Sequence, residues 1–239
     1  MSTVAIIPAA GLGARMGGER PKQFLDLKGE PLLAATLRPF QGSKRVDAVI
    51  LVVPPEEEAY CRREIVERFR LDKVKRVVAG GARRQDSVRL GIEASEGGFE
   101  VVCIHDGARP LIDEALIERV IEAARRYGAA TAGLPAKETV KELDSRGDMM
   151  RTYARENIWV IQTPQAFYYE DISRAHQKAL AENWEEATDD SVLVEKLGIP
   201  VKVVKGLERN IKVTTPYDLD LARFLLDAGR LKSRAGEGT

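Results

Sequence analysis

The sequence predicts an α/β fold: a doubly wound, mostly parallel sheet with helices on both faces and one protruding β-hairpin. Three observations lead there. Short apolar runs alternate with amphipathic stretches along nearly the whole chain. The apolar runs lack the two-residue alternation of a half-exposed strand, as expected where both faces are covered. One segment, 137–156, breaks the alternation and reads as a polar hairpin.

Strands are predicted over 4–8, 48–53, 74–79, 101–105, 130–134, 159–162 and 201–204. Between them, 56–69, 85–95, 113–127, 170–182 and 217–226 place apolar residues three and four apart among charges, the pattern of a helix packed on one side. Asp113 offers an N-cap, and Thr215-Pro216 a cap followed by a proline in the first turn. Strand–helix–strand succession implies right-handed crossovers. In such sheets ligands sit beyond the carboxyl ends of the strands. Segment 9–15, Gly80-Gly81 and segment 106–109 all fall there.

In the hairpin, Thr139-Val140-Lys141-Glu142-Leu143 precedes a turn at Asp144-Ser145-Arg146-Gly147, and the second strand begins at Met149. Polar and apolar residues interleave on both sides of a glycine-bearing turn. An isolated two-stranded hairpin is marginal in water. The arm therefore needs something to pack on, and a second subunit is the simplest candidate; a surface flap is the alternative.

The 239 residues hold 37 basic and 37 acidic side chains, so the formal charge is zero. That argues against nucleic-acid binding resting on bulk electrostatics, which normally shows a basic excess, and leaves room for local basic clusters. Two cysteines, Cys61 and Cys103, make no disulfide framework and have no metal-ligand spacing. No apolar run reaches the roughly 18 residues a membrane helix needs, and Met1-Ser2-Thr3 leads straight into a strand without a charged-then-apolar leader. The expectation is a cytoplasmic protein without membrane partners. No repeat or linker divides the chain, so one domain is expected over 1–228, with 137–156 as its arm and 229–239 as an unstructured tail.

The chemistry concentrates in the first thirty residues. The first strand feeds Pro8-Ala9-Ala10-Gly11-Leu12-Gly13-Ala14-Arg15-Met16, then Pro21-Lys22-Gln23-Phe24. Small side chains let backbone N–H groups approach polyphosphate oxygens, and Arg15 and Lys22 supply fixed charge. The loop lacks the Gly-Lys-Ser/Thr of the ATPase P-loop, and Met16 stands where a dinucleotide fingerprint has its third glycine. Two cations on such a loop stabilise the charge that builds during nucleotidyl transfer. Two solvated surface charges would be the bland reading, but it leaves the small-residue loop unexplained.

Asp106, at a strand's carboxyl end in His105-Asp106-Gly107-Ala108-Arg109-Pro110, is placed to bind a hard cation such as Mg²⁺. Arg109 can grip a phosphate with both arms of its guanidinium; alternatively Asp106 caps the turn and pairs with Arg109. His105 reads as structural, since the only other histidine, His176, falls on a predicted helix. Gly80-Gly81, followed by Ser87, leaves backbone open for a flat base, although a Gly-Gly pair is more often just a turn.

Together these motifs, with Gly80-Gly81-x-x-Arg84-x-x-Ser87, Gln162-Thr163-Pro164-Gln165 and Asn210-Ile211-Lys212-Val213-Thr214, resemble the 2-C-methyl-D-erythritol 4-phosphate cytidylyltransferase family over about residues 2–227. The first loop alone marks only the wider nucleotidyltransferase superfamily, with its Rossmann-like sheet. The resemblance implies a homodimer joined by hairpin arms, using CTP and Mg²⁺. It implies that Arg15 and Lys22 stabilise the transition state and that Asp106 is the metal ligand. Ala9, Ala10, Gly11, Gly13, Gly81 and Ser87 match CTP-binding positions. Asp106, Arg109, Thr188 and Lys212 match the methylerythritol phosphate pocket, with Thr139 and Arg155 arriving from the partner's arm. Arg155 and Lys212 would orient the incoming phosphate. Two positions depart from the pattern. Gly107 replaces a frequent alanine, a harmless change on a tight turn, and Ala82 replaces a frequent acid.

Four rival readings stand beside this one, among them sugar-phosphate nucleotidyltransferases using UTP or GTP, which resemble this chain mainly in the first loop. A ribitol-5-phosphate cytidylyltransferase would share the loop and the dimer and differ around Thr139, Thr188 and Arg109. A non-catalytic CTP sensor would not need Arg15, Lys22 and Asp106 together. A dinucleotide oxidoreductase is disfavoured by the missing third glycine.

Overall fold

The computed structural model describes residues 2–11, 21–185 and 187–236, with 229–236 described by backbone alone. Thr3–Pro8 form β1, followed by α1 (Leu32–Gly42) and β2 (Ala48–Val53). Next come α2 (Glu58–Tyr60), which continues as a π-helical stretch over Cys61–Glu67, β3 (Val74–Ala79), α3 (Arg84–Ala94), β4 (Val101–Ile104) and α4 (Glu114–Tyr127). Then follow β5 (Ala129–Pro135), the hairpin strands β6 (Lys141–Leu143) and β7 (Met149–Thr152), β8 (Trp159–Tyr168), α5 (Tyr169–Ala181), α6 (Ser191–Glu195), β9 (Lys202–Lys205) and α7 (Pro216–Gly236).

Seven strands make one sheet in the order β3-β2-β1-β4-β8-β5-β9. β1, β2, β3 and β4 run parallel, as do β5 and β9, whereas β8 runs antiparallel to both its neighbours. The reason is the connection. β5 and β8 are joined through the arm, without a crossover helix, and a direct return reverses the strand. Alternate residues of the central strands feed two apolar layers. Ala5, Ile7, Leu51 and Cys103 pack with Leu37 and Phe40 of α1 and Ile117 and Val120 of α4. Val4, Ile6, Val52 and Ile104 pack with Val88 of α3, Ile172 of α5 and Leu193 of α6 on the other face. Burial on both faces explains why the strands read as continuous apolar runs. The edge strands are more exposed and carry Lys75, Arg76, Lys202 and Lys205, which discourages edge-to-edge pairing.

The chain winds from β1 outward to β2 and β3, then returns to place β4 on the other side of β1. That reversal leaves a crevice at the carboxyl ends of β1 and β4, the switch point where open α/β sheets bind ligands.

Several elements differ from the sequence reading, among them the short α6, which was not foreseen. α1 was not foreseen: Pro31 caps it and Pro39 lies inside it, and two prolines hide a helix whose Leu32, Leu33, Leu37 and Phe40 are buried. β8 does not stop at Gln162. Pro164 sits just past the last pairing with β4 and inside a register shift against β5, where its missing N–H does no harm. α7 runs to Gly236, past residue 229, where an unstructured tail was expected.

The hairpin forms a separate two-stranded sheet. Asp144 closes its turn by accepting from the N–H groups of Arg146 and Asp148, both at 2.9 Å, and Gly147 takes the positive φ of 91° that the turn requires.

α3 lies close against the sheet because Gly91 has no side chain: a Cβ there would fall 2.5 Å from Ile6 Cγ2 and 2.9 Å from Val52 Cγ2. Gly91→Leu is expected to destabilise the fold by roughly 1–3 kcal/mol through overpacking. Urea denaturation checks this, and a variant as stable as the parent would show that α3 lifts off the sheet without cost.

Candidate active site

The crevice is a cleft of about 610 Å³ walled by the loops that follow β1, β2, β3 and β4. Of the residues singled out in the sequence, Ala9, Ala10, Gly11, Lys22, Gly81, Ser87, Asp106 and Lys212 line it together. Gly13 and Arg15 lie outside the described residues. Thr139 and Arg155 are exposed on the arm and Thr188 on the loop before α6, and none of the three lines this cleft.

The loops are fixed by short-range chemistry. Gln23, 2% exposed, donates from Nε2 to the Ala9 carbonyl at 2.8 Å and so pins the turn carrying Lys22 to the first loop. Lys22 Nζ donates to the Val213 carbonyl at 3.1 Å, and the Val213 N–H donates to the Ala108 carbonyl at 2.8 Å. Asp218 on α7 accepts from the N–H groups of Thr214 and Thr215 at 2.9 and 2.8 Å, anchoring the segment that presents Lys212. The Gly81 N–H donates to Ser87 Oγ at 3.1 Å. Gly80 is required for close approach: a Cβ there would meet Ala10 Cβ at 2.3 Å. Gly107 proves to be more than a harmless change. A Cβ there would lie 2.8 Å from Ala9 Cβ, so its absence lets the Asp106 turn dock against the first loop.

Asp106 is the electrostatic centre. Its Oδ1 accepts from Arg84 Nε at 2.9 Å, and its Oδ2 lies 2.9 Å from Lys212 Nζ and 3.7 Å from Arg109 Nε. Burial alone would raise its pKa. Arg84, Lys212 and Arg109 outweigh that and hold the carboxyl well below the usual carboxylate range. Of the two sequence readings for Arg109, the one observed is the pairing with Asp106, reinforced by its Nη1 donating to the Asn210 carbonyl at 2.8 Å. Arg84 also reaches Asp190, with Nη1 2.8 Å from Oδ2. Burial disfavours its charge, but Asp190 and Asp106 more than compensate and hold its pKa above the ordinary value.

The sequence named Arg84 only as a motif position, without a role, and Asp190 not at all. One signal was available. Arg83 and Arg84 open a helix, the end that favours anions, so a cation there needs a specific partner.

Among the described residues, no group of three or more His, Cys, Asp or Glu is placed to hold a metal ion, and no helix is long and apolar enough to cross a membrane. The cysteines are buried, and burial pushes both thiols up to about 12, which leaves them unreactive at neutral pH.

Comparison with known proteins gives a consistent result. A family model described as IspD, 2-C-methyl-D-erythritol 4-phosphate cytidylyltransferase, matches residues 3–228. The chain is 47% identical to the protein of that name from Pelotomaculum thermopropionicum, over 97% of this chain and 98% of the other. It is 46% identical to the one from Syntrophus aciditrophicus, over 95% and 98%. Among solved structures it is similar to 4-diphosphocytidyl-2C-methyl-D-erythritol synthase from Anaerococcus prevotii, with a TM-score of 0.83, 34% identity and coverage of 95% and 98%. The cytidylyltransferase from Thermus thermophilus aligns with a TM-score of 0.77 and 36% identity over 95% and 100%.

His105 is structural, as its sequence context suggested. It is fully buried, its Nε2 donates to the Arg109 carbonyl at 3.1 Å, and its Nδ1 accepts from the Thr163 hydroxyl at 3.0 Å. A carbonyl only accepts, so the proton sits on Nε2. Burial pushes the ring's pKa from 6.5 down to about 4. A depressed folded-state pKa means that the neutral ring contributes stability above pH 6.5, and that this contribution is lost as the pH falls towards 4. NMR titration is expected to find His105 neutral down to about pH 5, with resistance to urea declining across the same window. A His105 ring that titrates at its ordinary value would contradict the buried network.

Proposed function

Because the chain belongs to the 2-C-methyl-D-erythritol 4-phosphate cytidylyltransferase family, we propose that the cleft beyond β1, β3 and β4 is where its two phosphorylated substrates meet. The enzyme transfers CMP from CTP to 2-C-methyl-D-erythritol 4-phosphate, giving 4-diphosphocytidyl-2-C-methyl-D-erythritol and pyrophosphate. The observation that carries the site assignment is the convergence of Lys22, Lys212 and Asp106 on a small-residue cleft at the sheet's switch point.

In this reading the backbone of Ala9, Ala10, Gly11, Gly13 and Gly81, with the Ser87 hydroxyl, holds CTP. Arg15 and Lys22 stabilise charge on the α-phosphate as pyrophosphate departs. The attacking oxygen belongs to a phosphomonoester, whose second pKa is about 6, so it is ionised near neutral pH and needs no strong base. The protein's tasks are alignment and charge neutralisation. Lys212 and Arg155 orient the incoming phosphate, and Arg109, Thr188 and Thr139 complete its pocket.

A magnesium ion fits this donor set as a companion of the nucleotide. Asp106 is one hard carboxylate, kept ionised by its three cations, and Mg²⁺ commonly takes one or two carboxylates and completes its shell with phosphate oxygens and water. Asp106 would hold it, and Lys212, the most exposed of the three cations at 38%, would release Oδ2 and turn to phosphate. Bound there, the ion supplies neutralisation of the triphosphate charge.

We further propose one catalytic domain over 1–228, with 137–156 as an arm that reaches a second copy of the chain. Two features support the homodimer. Leu143, Met149 and Met150 on the arm are 54%, 74% and 67% exposed in the single chain. Thr139 and Arg155 lie outside the cleft of their own chain, so a shared site needs them from the other copy. The enzyme is placed in the cytoplasm, where CTP is available, with small phosphorylated molecules rather than nucleic acid or membrane as its partners. The balance of 37 basic and 37 acidic residues accords with that choice. The ribitol and sensor readings are not favoured, because the relatives carry the methylerythritol phosphate activity in their names.

Pyrophosphate release with CTP and Mg²⁺, offering methylerythritol 4-phosphate and ribitol 5-phosphate in parallel, tests the assignment. Release with the first alone is expected; preference for the second, or silence with both, would overturn it. Lys22→Ala is expected to cut kcat by roughly 10²-fold or more, the scale of losing a transition-state donor, with modest change in CTP affinity. Normal turnover would remove Lys22 from its role. Mixing inactive Lys22→Ala and Arg155→Ala chains is expected to restore about a quarter of full activity, because half the dimers are mixed and each of those holds one intact site. No recovery on mixing would place Arg155 in its own chain's site.

A further inference from the structure

The residues around Asp106 form a closed circuit that the substrate and nucleotide contacts do not use. β8 holds both ends. Thr163 accepts the Asp106 N–H at 3.1 Å. Two residues on, Gln165 accepts from the N–H groups of Asp190 and Ser191, both at 3.1 Å, and donates to Asp189 Oδ2 at 3.0 Å. Arg84 closes the ring by spanning the two carboxylates, with Nε on Asp106 and Nη1 on Asp190. Asp190 is 1% exposed, and its other oxygen lies 3.3 Å from His176 Nε2. We propose that Arg84 is a positioning residue: it fixes the rotation of the Asp106 carboxylate and ties it to the turn at 188–191, which carries Thr188.

Asp106 and Asp190 are both buried acids on either side of Arg84, and without a shared cation their charges would repel. Only a planar, forked guanidinium serves two carboxylates in one fixed geometry; an ammonium is a single point charge. Arg84 also stands in the first turn of α3, against the helix dipole, and its two carboxylates explain why a cation is kept there. Movement of the 188–191 turn is thereby transmitted to Asp106, and the pocket for the phosphorylated alcohol is linked to the group that faces the nucleotide phosphates.

This inference rests on reading Asp106 as a substrate-facing group. A double-mutant cycle on the full-length enzyme tests it, using Arg84→Lys, Asp190→Asn and the double variant. Steady-state kinetics with methylerythritol phosphate are measured alongside CMP binding by calorimetry. Each single change is expected to lower kcat/KM for methylerythritol phosphate by roughly 10- to 100-fold, the scale of a misplaced reacting group. The double variant is expected to be no worse than the weaker single, since both break one link. CMP affinity should stay within about twofold, because Gly81 and Ser87 lie outside the circuit; a role in merely supporting α3 would move it. Asp190→Asn, which keeps the side-chain shape, decides the matter even where Arg84→Lys folds poorly. Additive losses, single variants as active as the parent, or a parallel loss of CMP affinity would overturn the link. Asp106→Asn, assayed beside them, separates the two levels. If it turns over normally, the reading of Asp106 falls and the link with it. If it is crippled while the other losses add, the link alone falls.

Discussion

One buried carboxylate organises this molecule's functional end. Asp106 gathers Arg84, Arg109 and Lys212, which come from the start of α3, the loop after β4 and the segment before α7. Each of these cations would be poorly accommodated alone in a cleft with buried walls, and together they would repel. The anion they share at their centre, with Asp190 as a second partner for Arg84, makes the cluster possible. The consequence is functional: a chain with no net charge presents a concentrated cationic site to two anionic substrates. The site's charge is local, held at one point by geometry, while the rest of the surface is balanced.

The sheet supplies the geometry. β8 lies antiparallel in an otherwise parallel neighbourhood, and it is the strand from which Thr163 and Gln165 grip both buried acids. Asn210, fully buried, donates from Nδ2 to the Thr163 carbonyl at 2.7 Å and so fastens the stretch leading to Lys212 onto the same strand. The reversed strand and the arm are one feature in sequence terms. The chain leaves β5, extends the hairpin and returns as β8, so the element proposed to reach a second subunit grows directly from the strand that organises the site. This gives a mechanical reason for the proposed sharing of the active site between copies.

Much of this was legible in the sequence, for definite reasons. β2 and β3 have the boundaries expected of them because the apolar run of β2 stops at Pro54-Pro55 and the Val77-Val78-Ala79 end of β3 stops at Gly80-Gly81. The cleft residues near β1, β3 and β4 were found because segment 9–15, Gly80-Gly81 and segment 106–109 all follow the carboxyl ends of predicted strands. The remainder was hidden by locality. Pro31 and Pro39 disguised α1, and Pro164 cut β8 short on paper, since a proline's tolerance depends on which neighbouring strand needs its N–H. Arg84 was a motif position without a role until Asp106 and Asp190, distant in sequence, appeared on either side of it. Gly107 looked neutral because the contact it relieves, with Ala9, belongs to another loop. Gly13 and Arg15 remain expectations from the sequence alone.

Asp106 acts as an organising anion rather than as a charge the fold merely tolerates. Urea denaturation of the parent and of Asp106→Asn at neutral pH tests this most directly. Removing the anion takes the acidic partner from Arg109 and Lys212 and leaves Arg84 to Asp190, and a loss of roughly 3–5 kcal/mol is predicted, the scale for breaking a buried ion pair from one side. An Asp106→Asn protein as stable as the parent, or more stable, would contradict the account: the cations would then be held by the surrounding fold, and Asp106 would be a cost carried for function alone.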